Sequence, residues 1–218
     1  MIRAIIFDSD DTLIDFSGKA VKCIQETAIK LNLKPYNKND INKLWGRSLK
    51  YIVKELYGKK YYRKFKKIYF RIINKIKFKE LKGARIVIKL LKNNYFLGVL
   101  SAKPSQIMFK NFKDAGFHIK DFKFAFSADD TKFHKPSPRV FDKAKKILRK
   151  YKISNNEVIY VGDALIDYLA AKSAGLKFIA VTQGYYKKND FIKIGLKKEN
   201  ILNSIRLLPY WLSEHGNN

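Results

Sequence analysis

The chain opens with four apolar residues, Ala4–Phe7, between Arg3 and an acidic run that begins at Asp8. A short, Ile-rich run of this kind predicts a buried strand over Arg3–Phe7. From Ser17 the spacing becomes helical: Val21, Ile24, Ala28 and Leu31 share one stripe, with Ser17 read as N-cap and Pro35 beyond the end. Leu49, Ile52, Val53 and Leu56 form a second stripe, stopped by Gly58. Tyr61, Phe65, Ile68, Ile72 and Ile76 form a third, with lysines over its other face. Residues 16–80 are therefore predicted to be an all-helical insert.

After Gly83 the period alternates. Helices are predicted over Ala84–Asn93, Ser105–Ala115, Pro138–Tyr151 and Leu165–Ala174, and a closing helix over Ile201–Leu212. Strands are predicted over Phe96–Leu100, Phe122–Phe126, Val158–Val161 and Phe178–Val181. Such alternation predicts a parallel sheet covered on both faces, joined by right-handed crossovers. The expected fold class is α/β, a doubly wound, Rossmann-like core, with residues 1–15 and 81–218 forming the core domain and 16–80 a second, helical domain.

At 218 residues and 46% hydrophobic content, the chain is long and apolar enough to bury a core, which excludes a disordered protein. A single cysteine, Cys23, excludes an internal disulfide, a Cys-based zinc site and a CxxC redox pair. The longest apolar runs fall far short of the ~20 residues of a spanning helix, and Met1–Phe7 does not fit a signal peptide. A soluble cytoplasmic protein, monomer or homodimer, with no membrane partner is expected. The charge is unusual: 46 Lys and Arg stand against 19 Asp and Glu, a formal +27. Residues Ile14–Glu80 hold 19 basic and 5 acidic side chains, so the insert is more than twice as charge-dense as the remainder. Such an excess attracts polyanions, from nucleic acid to phosphorylated metabolites, although a chain this rich in Lys, Ile, Asn, Tyr and Phe also carries the mark of AT-rich codons.

Ligands of open parallel sheets bind beyond the carboxyl ends of the strands. Four such places carry chemistry here: Asp8-Ser9-Asp10-Asp11-Thr12, Ser101-Ala102-Lys103, His134-Lys135-Pro136-Ser137-Pro138, and Gly162-Asp163 with Asp167 beyond. Three carboxylates converging at one sheet edge repel one another unless a cation sits among them, and Mg²⁺ suits an oxygen-only site that also takes substrate phosphate. A carboxylate can itself attack phosphorus, and of Asp8 and Asp10 one can serve as nucleophile and the other as proton donor. Lys135 and the Ser101 hydroxyl are suited to phosphoryl oxygens.

Taken together and in order, these motifs resemble those of the haloacid dehalogenase superfamily of phosphohydrolases. Asp8-x-Asp10-x-Thr12-Leu13 looks like its first motif and Ser101 occupies the place of the second. Lys135-Pro136-x-Pro138-x-x-Phe141 resembles the third and Gly162-Asp163-x-x-x-Asp167 the fourth. The resemblance implies Asp8 as nucleophile and Mg²⁺ ligand, and Asp10 as general acid/base whose backbone carbonyl also meets the metal. It implies Asp163 as a further metal ligand, Asp167 as an outer one, and Ser101 and Lys135 as holders of the phosphoryl group. The family most often has glycine where this chain has Asp11, and Asp is a common variant. An acid at position 10 favours phosphate over halide chemistry. The insert has the place and length of the family's small helical cap, and Trp45-Gly46-Arg47-Ser48-Leu49 is similar to a cap segment of phosphoglycolate phosphatase-like members. The implied function is Mg²⁺-dependent hydrolysis of a small phosphorylated metabolite such as phosphoglycolate, a triose or sugar phosphate, or a nucleotide. A phosphosugar mutase of the same family is one alternative, and a basic nucleic-acid-binding protein is the alternative of another class.

Overall fold

The computed structural model describes residues Met1–Gly216; Asn217 and Asn218, the last two of the expected core range, lie outside the described residues. Along the chain come β1 (Ala4–Phe7), β2 (Ile14–Asp15), α1 (Ser17–Lys30), α2 (Lys38–Asn42), α3 (Leu49–Tyr57), α4 (Tyr62–Ile73), β3 (Lys79–Glu80), α5 (Ala84–Leu91) and β4 (Phe96–Leu100). They are followed by α6 (Ser105–Asp114), β5 (Phe124–Phe126), α7 (Asp142–Lys150), β6 (Val158–Gly162), α8 (Leu165–Ser173), β7 (Lys177–Val181), α9 (Lys188–Lys193), β8 (Ile201–Leu202) and α10 (Leu208–His215).

Six strands form one sheet in the order β5-β4-β1-β6-β7-β8, every neighbouring pair parallel. Period-2 alternation sorts its side chains between two cores. Ile5, Phe7, Leu97, Val99, Ile159 and Val161 face α5, α6 and α10, while Ala4, Ile6, Phe124, Val158 and Tyr160 face α7, α8 and α9. Both faces are covered, which is why the central strands read as unbroken apolar runs rather than alternating ones.

Between β2 and β3 the chain makes the four helices α1–α4. Their stripes meet one another, burying Val21, Ile24, Ile52, Val53 and Phe65, and leave Lys64, Lys66 and Lys67 on the exposed side. Three sequence expectations differ from what is found. The insert is not wholly helical: Lys79 and Glu80 pair antiparallel with Asp15 and Ile14, so both ends of the insert leave through one two-stranded ribbon. Ser17 begins α1 but its hydroxyl does not cap it; the Asp11 carboxylate accepts from the Phe16 and Ser17 amides, both at 3.0 Å. The closing helix starts later than expected because Ile201 and Leu202 extend the sheet, pairing with Ala180 and Val181, before a 3-10 turn leads into α10.

Phe65 is fully buried and stacks on Tyr57 with ring centroids 5.2 Å apart. Phe65→Ala should therefore destabilise the protein by about 3–5 kcal/mol in equilibrium urea unfolding, whereas Lys66→Gln on the exposed face of the same helix should change stability by less than about 0.5 kcal/mol.

Candidate active site

The chain runs from β1 to β4 on one side and returns to place β6 on the other, so the crevice at the carboxyl end of β1 is the point where the strand order reverses, the usual ligand site of such sheets. Asp8 follows β1 directly and its amide donates to Val161 O at 2.8 Å. The loop then turns back tightly, with Leu13 and Ile14 amides both donating to Ser9 O at 3.0 Å and Asp11 at φ +52°. Ser101 follows β4 and Asp163 follows β6, while Lys135 enters from the loop before α7 on a cis Lys135–Pro136 bond.

Lys135 joins the site together. Its Nζ lies 2.6 Å from Asp8 Oδ1 and 2.6 Å from Asp167 Oδ1, with all three side chains buried. Asp167 also accepts from the Ala164 amide at 3.1 Å, which anchors the first turn of α8. Burial opposes the charge on Lys135, but Asp167 and Asp8 outweigh it and hold its pKa well above the usual lysine value. Asp8 is pushed up to about 7 by burial, with Asp167 and Asp10 adding to the rise and Lys135 resisting it. Asp163 is driven well above the usual carboxylate range by burial and by the neighbouring Asp11, Asp8 and Asp167. Its Oδ2 is buried with no hydrogen-bond partner. Asp8, Asp163 and Asp167 each offer an oxygen within 4.8 Å of the others. An unpartnered oxygen among three crowded carboxylates fits a hard divalent cation, which favours the charged forms of Asp8 and Asp163 and takes oxygen donors of this kind.

Asp10 points elsewhere. Its side chain is ion-paired with Lys103 and lies outside the three-acid group. Burial raises the Asp10 pKa and Lys103 works against that rise; burial likewise lowers the Lys103 pKa against the pull of Asp10. Ser101 is buried at its strand end, where its Oγ accepts from the Lys103 amide at 3.2 Å rather than touching an aspartate. Over the acids lies a cavity of about 80 Å³. Its floor includes Asp8, Asp10, Lys135 and Asp163, and its roof is Phe16, Trp45, Arg47, Leu49, Ile52, Tyr69 and Phe70 from the linker and insert.

A family model described as haloacid dehalogenase-like hydrolase matches residues 5–181. The chain belongs to that family. Among relatives, the protein of Clostridium perfringens named for pyrophosphatase activity, PpaX, is 30% identical over 186 residues, covering 83% of this chain and 84% of that one. The phosphoglycolate phosphatase of Rhodobacter capsulatus is 25% identical over 201 residues, with 86% and 87% covered. The glyceraldehyde 3-phosphate phosphatase of Pyrococcus furiosus is 27% identical over 211 residues, with 87% and 84% covered. Among solved structures, a hydrolase from Pseudomonas syringae superposes with a TM-score of 0.80 at 23% identity, covering 99% of each chain.

Two residues of this haloacid dehalogenase-like site escaped the sequence reading as functional candidates. Lys103 is buried, lies 3.1 Å from the Phe16 ring centroid, and in the amide orientation that satisfies both partners Asn111 accepts from its Nζ at 2.9 Å. The only signal was its place two residues beyond Ser101, hidden among many lysines. Gly184, in the loop after β7, has no room for a side chain: a Cβ would stand 2.5 Å from Asp163 Oδ2 and 2.9 Å from Asp11 Cβ.

Lys103→Met would leave the half-buried Asp10 carboxylate without its cation. Loss of that partner should destabilise the protein by about 1–3 kcal/mol at neutral pH, read as a lowered urea midpoint with an unchanged slope.

Proposed function

We propose that the protein is a Mg²⁺-dependent phosphatase that cleaves a small phosphorylated metabolite through a phosphoryl group carried on Asp8. In this reading residues 16–80 act as a cap domain over a core made of 1–15 and 81–218. One observation carries it: a single buried lysine holds the carboxylates of Asp8 and Asp167 at 2.6 Å each, and beside them Asp163 keeps an oxygen without a partner. The cavity supports a small substrate. At about 80 Å³ it lies well below the ~300–1,000 Å³ of pockets that take drug-sized ligands. That suits a phosphoryl group and a short leaving group, such as phosphoglycolate or a triose phosphate, better than a nucleotide, and it counts against a mutase that must turn a phosphosugar end for end.

The steps follow from the side chains. An Asp8 oxygen attacks phosphorus opposite the ester oxygen, the P–O bond to the leaving group breaks, and Asp10 gives its proton to the departing oxygen. Asp10 then takes a proton from the water that attacks the aspartyl phosphate, releasing inorganic phosphate and restoring Asp8. Lys103 keeps Asp10 in place. Lys135 holds the orientation of Asp8, and with the Ser101 hydroxyl it screens the phosphoryl oxygens. Asp8, Asp163 and the Asp10 carbonyl, with Asp167 behind them, would hold Mg²⁺, which would supply the positive charge that a phosphate dianion needs beside so many carboxylates. The roof excludes water while the group is transferred.

A phosphate-release screen over phosphoglycolate, triose phosphates, sugar phosphates and nucleotides, with Mg²⁺ present, tests the reading directly. Turnover of at least one short-chain phosphomonoester is expected, and no release from any of them would end it. Asp8→Asn should fold normally and lose roughly 10³-fold or more in kcat. EDTA should abolish activity and Mg²⁺ restore it, with Asp163→Ala raising the Mg²⁺ needed for half-maximal rate; full turnover in excess chelator would remove the metal from the scheme.

A further inference from the structure

Asp11 directly follows Asp8 and Asp10, the two aspartates assigned to chemistry, yet its carboxylate serves neither of them. It is 2% exposed, and each oxygen has a defined duty: Oδ1 accepts from the Phe16 and Ser17 amides, while Oδ2 accepts from the Trp45 indole Nε1 at 3.1 Å. Phe16 and Ser17 lead into the insert, and Trp45 belongs to the turn between α2 and α3, 34 residues further on. Trp45 is almost wholly buried, with its ring 6.0 Å from that of Phe16, and it forms part of the roof over the catalytic acids. The neighbouring Gly46 adopts φ +85°, and a Cβ on it would lie 2.9 Å from Ile166 Cδ1 and 3.0 Å from Ala164 Cβ. Thus the Trp45–Gly46 turn is seated on both catalytic loops at once, tied to one by a charge-assisted hydrogen bond and pressed onto the residues that follow Asp163.

We propose that Asp11 is a positioning residue: its carboxylate fixes the Trp45 indole as the wall against which the leaving group of the substrate is held, and so sets which leaving groups are accepted. Phosphoryl chemistry needs the reacting atoms aligned, and a wall held by a hydrogen bond orients the ester where a mobile ring does not. Glycine in place of Asp11 suits the left-handed backbone at φ +52° but leaves the indole N–H and the start of α1 without their acceptor. The proposal rests on the phosphatase reading for its kinetic part and is independent of it for its spectroscopic part.

Two variants of the full chain test it, Asp11→Gly and Trp45→Phe, the latter keeping an aromatic wall while removing the donor. In protein labelled with ¹⁵N-tryptophan, the two indole N–H signals come from Trp45 and Trp211. Trp211 Nε1 donates to Glu199 O at 2.9 Å and serves as the internal reference. Asp11→Gly should speed hydrogen exchange of the Trp45 indole at least tenfold and leave Trp211 unchanged. Kinetically, the ratio of kcat/KM for the short-chain ester the wild type turns over best to that for p-nitrophenyl phosphate should fall about tenfold in each variant and no further in the double variant, while in Trp45→Phe, which keeps every carboxylate, the Mg²⁺ concentration for half-maximal rate stays as in the wild type. If Asp11→Gly does not fold, Trp45→Phe must still lower the ratio. Unchanged indole exchange, an unchanged ratio, additive losses in the double variant, or a parallel loss of Mg²⁺ response in Trp45→Phe would each overturn the proposal. A wild type that releases phosphate from none of the screened esters removes the phosphatase reading instead, and the exchange measurement still decides whether the tether exists.

Discussion

Crowding of like charge at the carboxyl end of β1 is the constraint around which the site is arranged. Asp8, Asp10, Asp11, Asp163 and Asp167 meet there, all but Asp10 nearly sealed from water. At an effective dielectric of ~20, two ionised carboxylates under 5 Å apart repel by about 3–4 kcal/mol. Each acid is managed differently. Asp8 and Asp167 share Lys135, Asp10 has Lys103, and Asp11 is surrounded by N–H donors. Asp163 keeps a buried oxygen, Oδ2, with no hydrogen-bond partner. The incomplete compensation at Asp163 fits a divalent cation, and the neighbouring Asp8 and Asp10 each have a lysine of their own.

Lysines held this way are unlike those on the outside of the protein. Lys135 and Lys103 are buried, ion-paired and set against the rings of Tyr160 and Phe16. Lys64, Lys66 and Lys67 along α4 contribute to the net charge but stand exposed to water. Net charge therefore says little about where catalysis resides; burial and pairing say most.

Much of this was legible in the sequence, because period-2 and helical stripes reflect burial directly and because strand ends expose their polar residues to one crevice. β1, β4 and β6 lie where the apolar runs place them, and the four motifs arrive at one sheet edge. What was not legible depends on contacts between distant segments. β2 and β3 are two residues each, too short to carry a period, and exist only because Ile14 meets Glu80. Ile201 and Leu202 fit a helical stripe as well as an edge strand, and pairing with β7 decides between them. Lys103 became distinct only through Asp10, Phe16 and Asn111, and the cap of α1 passed from Ser17 to Asp11 because a carboxylate aimed back from the preceding loop outcompetes a local hydroxyl.

The ribbon of β2 and β3 has a consequence for how such a protein can change. Both strands that connect the insert to the sheet run side by side, so the sheet registers only the spacing between Ile14 and Glu80, whatever lies between them. Loop-closure entropy grows slowly with length, by about 0.6 kcal/mol for each doubling. A longer, shorter or differently folded segment could therefore be exchanged at this junction without re-registering a single core strand. The floor and the roof of the cavity are free to diversify at different speeds, and a chimaera cut at the ribbon would set the roof of one protein over the floor of another.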